Sequence, residues 1–325
     1  MKKILQSFLF VTLFYSLLLG QSQENFKKIN QLLYAEQFNE AIDSLNVLKE
    51  KDSLNAVVYQ KLGVAYQGIF KHREAKMVLE KSVELDSLNL FAYKSLALTN
   101  SFLSQNKEAQ KNYEKAFSLD TTNIPIAMSL CKVYQERNLF TKAVNVYSQL
   151  IEIDSTNNLF YRGRAFCYAK AQNDSMAIAN YKVAIKLNET NIKNYTNLAI
   201  LFIKKDKSDS ALVYIDKGLI LNQVNPTLNR LKADLKLNEK KYFEAVSHYS
   251  KSIAFGDSTY QNYQKLGLSY YFIASSRIFP NKKERVKKYQ TCIDAFLKSY
   301  KLNQEDQLTC MYLGIVYKEL EDYKK

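Results

Sequence analysis

The stretch LDSLN, Leu85–Asn89, has counterparts along the chain at one fixed interval. KDSLN ends at Asn55, LDTTN at Asn123, IDSTN at Asn157, LNETN at Asn191 and LNQVN at Asn225, so with Asn89 the phrase returns every 34 residues. Asp, Asn, Ser and Thr close turns and start helices because their side-chain oxygens accept hydrogen bonds from nearby backbone N–H groups. The phrase therefore reads as one turn, used repeatedly, that ends one helix and caps the next.

Between these turns runs a second register. Ala41, Ala75, Ala109, Ala143, Ala177, Ala211 and Ala245 are also 34 residues apart. Four residues after each stands a large side chain: Leu45, Leu79, Tyr113, Tyr147, Tyr181, Ile215 and Tyr249. The spacing of four puts both on one helical face, where a small residue lets a neighbouring helix approach and the large one fills the space beside it. Upstream lies another helical pattern, YQKLGVAY from Tyr59 to Tyr66, repeated as YQKLGLSY from Tyr263 and CMYLGIVY from Cys310. Its central small slot is Gly63, Gly267 or Gly314, and elsewhere Ala97, Cys131, Ala165, Ala199 or Ala233. Each 34-residue unit thus holds two helices that meet through small residues.

This pattern resembles the tetratricopeptide repeat, a 34-residue helix–turn–helix with W-x2-L-G-x2-Y followed by A-x3-F. Tyr stands in the Trp slot, and the Pro usual after the second helix is replaced by Ser53, Ser87, Thr121, Ser155, Glu189 and Gln223. The resemblance covers about residue 25 to the end and implies an all-α fold, a right-handed superhelical solenoid of helix–turn–helix repeats. Repeats are expected near 22–55, 56–89, 90–123, 124–157, 158–191, 192–225, 226–259 and 260–306, with a partial ninth over 307–325. The eighth carries a 13-residue insert, since Gly267 and Cys292 are 25 apart where Gly63 and Ala75 are 12 apart. The insert is read as a longer helix pair bent at Pro280, with a basic loop over Lys282–Lys288. The ninth repeat is apolar on several sides and stops before its second helix, so the chain either continues or docks this end on something.

Composition agrees with such an array. The 325 residues include only 8 Gly and 3 Pro, too little punctuation for a sandwich or a doubly wound sheet. The 47% hydrophobic share supplies a core and argues against disorder. At the N-terminus, Lys2 and Lys3 precede an apolar run from Phe8 to Leu19, with the small residues Gly20 and Ser22 after it. This reads as a cleaved export signal over residues 1–22, and no second apolar run is long enough to span a membrane. The formal charge of +14 falls to +12 without Lys2 and Lys3, which favours acidic partners. Export removes nucleic acid from the expected partners.

Chemistry-bearing motifs are scarce. Cys131, Cys167, Cys292 and Cys310 form no C-x-x-C pair, and His72 and His248 stand in no H-E-x-x-H. The cysteines read as buried free thiols, with disulfides the alternative that an exported location permits, and the histidines as surface helix or turn residues. No phosphate loop, Rossmann fingerprint or nucleophile elbow occurs, so no cofactor, metal site or enzymatic activity is expected. Asp-Ser and Asp-Thr pairs such as Asp86-Ser87 resemble an O-glycosylation acceptor of some exported bacterial proteins, but turn chemistry explains them equally well.

What remains is binding. In the family this chain resembles, first helices line a concave groove that takes segments of other proteins. Carried onto this sequence, the groove would present Lys94, Phe102, Lys132, Arg162, Phe166, Asn197, Arg230 and Tyr271, together with Gln60, Met128, Gln264 and Met311. Basic and amide groups beside aromatics suit an acidic or C-terminal peptide. The carboxylate clamp of some family members is not matched, because Phe166, Thr227 and Leu231 occupy its slots. The expected function is a non-enzymatic protein-interaction scaffold. Alternatives are a structural module of an envelope assembly, or the non-catalytic part of a longer chain.

Overall fold

The computed structural model describes residues 23–276 and 282–324. The expected export signal and Pro280 lie outside the described residues. Within them are 17 helices and no strand. In pairs of first and second helix these are α1 (23–34) and α2 (Phe38–Lys51), α3 (Ala56–Gly68) and α4 (His72–Leu85), and α5 (Leu90–Phe102) and α6 (Asn106–Leu119). There follow α7 (Ile124–Glu136) and α8 (Phe140–Ile153), α9 (Asn158–Lys170) and α10 (Asp174–Leu187), and α11 (Ile192–Lys204) and α12 (Ser208–Leu221). The last are α13 (Pro226–Asn238) and α14 (Tyr242–Ala254), α15 (Tyr260–Ser275) and α16 (Lys282–Leu302), and α17 (Gln307–Lys324). The chain divides into two compact units after Ser155, with α1 to α8 in one and α9 to α17 in the other.

The turn phrase does two jobs. Its second residue ends the second helix in extended conformation and bonds the backbone two residues on: Asp86 accepts from the Leu88 amide at 2.9 Å, and Asn222 from that of Val224 at 3.1 Å. Its last residue caps the next first helix. Asn55, Asn89, Asn123, Asn157, Asn191 and Asn225 each accept a bond from an amide of the opening turn. Such caps stabilise a helix by about 1 kcal/mol each.

A different device joins the two helices within a pair. Glu36, Phe70, Ser104, Asn138, Gln172, Asp206 and Lys240 all have φ between 56° and 62°. In each, the chain reverses through a left-handed residue whose neighbours return amides to the end of the first helix, as Lys71 does to Tyr66 at 2.9 Å. No Gly occupies any of the seven positions.

All seven register alanines have no exposed surface, and their large partners are at most 5% exposed. The contact is close enough that a Cβ on Gly63 would lie 2.3 Å from Leu79 Cγ. Neighbouring pairs are also pinned at a spacing of 30 residues. His72 stacks on Phe102 at 4.6 Å, Lys204 pairs with Asp174 at 3.0 Å, and Tyr242 stacks on Phe272 at 4.9 Å. The apolar cores follow the pairs: one gathers Tyr181, Leu198, Ile215 and Leu228, another Tyr289, Cys292, Phe296 and Val316.

Two expectations need correction. The basic run Lys282–Lys288 is not a loop; it forms the opening turns of the 21-residue α16, where its charges alternate with Val286 and lead into the buried Tyr289. The cysteines are free thiols, but only Cys131, Cys167 and Cys292 are buried while Cys310 is exposed.

Candidate binding face of the first helices

Spacing along a first helix decides what it shows. On α5, Ala92, Leu96, Ala97, Thr99 and Asn100 are buried. Phe91, Lys94, Leu98 and Phe102 fall on the opposite stripe, with Phe91 64% and Phe102 58% exposed. Beside it, α3 shows Val57 and the half-buried Gln60, and Gln67 Nε2 ties α3 to α5 through the Ser95 carbonyl at 2.8 Å and Thr99 Oγ1 at 2.7 Å. On α7, Lys132 is exposed and lies 3.8 Å from Glu136. An exposed pair of this kind contributes little and leaves the ammonium available. Phe102 closes the end of its stripe with its ring against His72, so part of its surface is committed to packing.

The second unit arranges its candidates differently. Arg162, Tyr181 and Asn197 come together: Asn197 Nδ2 donates to the Tyr181 hydroxyl at 3.0 Å, and the Arg162 charge acts on the same hydroxyl. Burial pushes the Tyr181 phenol up to about 12, with Asn197 and Arg162 partly offsetting it. Phe166 is half-buried, with Lys170 Nζ 5.6 Å from its ring centre. Leu159 on α9 and Ile200 on α11 are exposed apolar residues beside them, at 41% and 43%.

Arg230 is not a free cation. Its Nε lies 3.0 Å from Asp257, and its guanidinium 3.7 Å from Asp234. Asp234 also accepts from Lys265 at 2.7 Å and from the Tyr249 hydroxyl at 2.5 Å. Two cations and two carboxylates thereby neutralise one another along a cleft of about 600 Å³ lined by Thr227, Arg230, Asp257, Asn262 and Lys265. Tyr271 is half-buried as well. Its ring packs against Phe272, Tyr289 and Tyr312 at 5.5 to 6.5 Å, and burial raises its phenol pKa.

The histidines are more buried than expected. The His72 ring is held by Phe102, and its Nδ1 is buried without a partner. His248 Nδ1 lies 2.9 Å from Asn229 Oδ1. Among the described residues no group of His, Cys, Asp and Glu is placed to hold a metal ion, and no helix is long and apolar enough to cross a membrane. What the stripes can do is offer apolar contacts flanked by ammonium, guanidinium and amide donors.

A tetratricopeptide-repeat family model matches residues 56–87, the pair α3 and α4. The 34-residue register and the eight helix pairs extend that match along the chain. The chain is built of tetratricopeptide repeats. Solved repeat proteins share this all-α solenoid fold. The C-terminal part of a TPR repeat-containing protein from Cytophaga hutchinsonii superposes with a TM-score of 0.64 at 16% identity, covering 74% of this chain and 99% of its own. YrrB, a TPR protein described as having an unusual peptide-binding site, gives 0.51 at 18% identity, covering 61% and 97%. A tetratricopeptide repeat protein from Parabacteroides merdae gives 0.50 at 16%, covering 76% and 98%. At such identities the likeness is one of fold alone. No curated protein matches the chain.

Within the tetratricopeptide register, the residues that sequence reasoning missed sit at two recurring slots. Val57, Phe91 and Leu159 share the second position of the first helix; Leu98 and Ile200 share the ninth. Their signal was apolar character on the stripe opposite the small residues. The charge network around Asp234 had no such signal, because Asp257 and Lys265 reach it from the neighbouring turn and the next repeat.

Proposed function

We propose that this chain is an exported, non-enzymatic scaffold, periplasmic or secreted, that holds acidic protein segments on the exposed faces of its first helices. The observation that carries the proposal is the stripe Phe91–Lys94–Leu98 on α5, with Val57 and Lys132 on the flanking first helices. A large exposed apolar row next to cations is unusual for a surface with no partner. Lys94 has no carboxylate partner among the described residues, so its charge is available to an incoming acid. The peptide-binding site reported for YrrB, on the same fold, is in keeping with this use of the face. Lys2, Lys3 and the run Phe8–Leu19 support export.

The test is affinity capture from an envelope extract with residues 23–325, set against a Phe91→Glu, Lys94→Glu variant that keeps its circular dichroism spectrum. Partners lost with the variant and weakened by added salt establish recognition by this stripe. Partners held equally by both proteins move the function to another surface.

A further inference from the structure

The turn between α14 and α15 departs from the pattern of the others. Gly256 stands at the slot that elsewhere holds Asp52, Asp86, Asp120, Asp154, Asn188 or Asn222, and Thr259 at the slot of the six capping asparagines. Gly256 has φ 115°, and a Cβ on it would meet nothing within 4 Å. The acid of this turn comes one residue later, where Asp257 reaches Arg230 at 3.0 Å. Thr259 makes no side-chain cap; its hydroxyl donates to Asp257 at 3.4 Å instead. The opening turn of α15 therefore borders the cleft between α13 and α15 with amides that Thr259 leaves uncapped.

A second group in this cleft also lacks its complement. Asn262 is fully buried and lines the cleft. Its Nδ2 donates to the Asp257 carbonyl at 2.7 Å and to Ser252 Oγ at 3.3 Å, which fixes the amide, and its Oδ1 has no partner. A buried acceptor without a donor is costly to leave unmade. The cleft thus offers donors at Arg230, Lys265 and the α15 amides, and acceptors at Asp257 and Asn262 Oδ1.

Charge decides what can enter. Arg230 and Lys265 are balanced by Asp234 and Asp257, all half-buried. A simple anion would draw a cation away and leave a carboxylate unpaired, and a simple cation would do the reverse; either leaves a desolvated charge alone. A molecule that carries both charges exchanges the Arg230–Asp257 pair for two pairs of its own and leaves the balance unchanged. The volume of about 600 Å³ is in the range of small-molecule sites.

We propose that this cleft binds a free α-amino acid, its carboxylate held by Arg230, Lys265 and the opening amides of α15, and its ammonium group by Asp257 and Asn262 Oδ1. The site lies wholly in the second unit and does not depend on the α5 stripe in the first.

The experiment screens the common L-amino acids, each at millimolar concentration, against residues 23–325 by thermal denaturation, and follows those that raise Tm by titration calorimetry. At least one is expected to bind. Its N-acetyl derivative, which lacks the ammonium charge, and its amide, which lacks the carboxylate, should each bind at least about tenfold more weakly to the unaltered protein. Asp257→Asn and Lys265→Gln proteins that keep the circular dichroism spectrum should lose affinity by a similar factor. Thr259→Asn restores the capping residue of the other turns; it should raise the Tm of the free protein and weaken binding, because the cap and the ligand compete for the same amides. A Phe91→Glu, Lys94→Glu protein should bind the amino acid unchanged. The proposal is overturned if no amino acid binds, or if the N-acetyl derivative binds as well as its parent, which would make the cleft a site for plain anions. It is equally overturned if binding survives Asp257→Asn and Lys265→Gln together, or is untouched by Thr259→Asn.

Discussion

His248 is held neutral by its surroundings. Burial is the largest cause, and the charges of Lys232 and Lys251 add to it, lowering the imidazole to about 4 against an ordinary 6.5. Asp216 and Glu244 oppose this without reversing it. The contact at Nδ1 sets the tautomer of the neutral ring, since Asn229 turns its amide nitrogen to the carbonyls of Gln223 and Asn225 and its oxygen to the ring, where it accepts from Nδ1–H. A depressed folded-state value means the unfolded chain takes up the proton first. Stability from this group is therefore full above about pH 6.5 and is lost as pH falls toward 4. A His248→Gln variant should show a smaller drop in Tm between pH 7.5 and 5.5 than the parent, by thermal denaturation at fixed ionic strength. An equal drop in both proteins would remove His248 as the cause.

At the scale of the element, the reversal between paired helices stores strain that the caps do not. Gln172 has φ 62° and an exposed side chain. A Cβ in this region costs about 1–2 kcal/mol, while Gly loses roughly 0.5–1 kcal/mol more backbone entropy on folding. Gln172→Gly should thus stabilise by about 0.5 kcal/mol, and the β-branched Gln172→Val should destabilise by about 1 kcal/mol or more. Urea denaturation with unchanged slope decides it, and opposite signs for the two variants are the expected result. The 34-residue phrase made the caps legible, because Asn does the capping in every copy. The reversal was not legible. Its seven residues share a backbone conformation but no chemistry, and Phe70 or Lys240 carries no mark of a left-handed turn.

Across the whole molecule, stability is a sum of repeats and the contacts between neighbours. Within the second unit, α11 packs against α10, α12 and α13, whereas among the described residues α17 packs against α15 and α16. Hydrogen exchange should reflect that difference, with central amides of α11 exchanging at least about tenfold more slowly than those of α17. Equal protection would mean the unit opens as one body. The same neighbour logic governs the candidate face. Arg162 and Asn197 were legible as polar stripe positions, yet the Tyr181 hydroxyl that joins them comes from the intervening second helix.

The helix pairs, their 34-residue period, the Asn caps and the small–large interlock were determined by sequence alone. Each depends on residues within one repeat, and repetition raised a weak local signal to a strong one. Tertiary structure decided which of those side chains remain available. Arg230 is engaged by Asp257, 27 residues on, and Tyr271 is packed against Tyr289 and Tyr312. Phe91 stays uncovered because no other element among the described residues packs over it. Exposure and ion pairing belong to contacts between elements, and a helix's own sequence records only which face it can offer, not what comes to cover it.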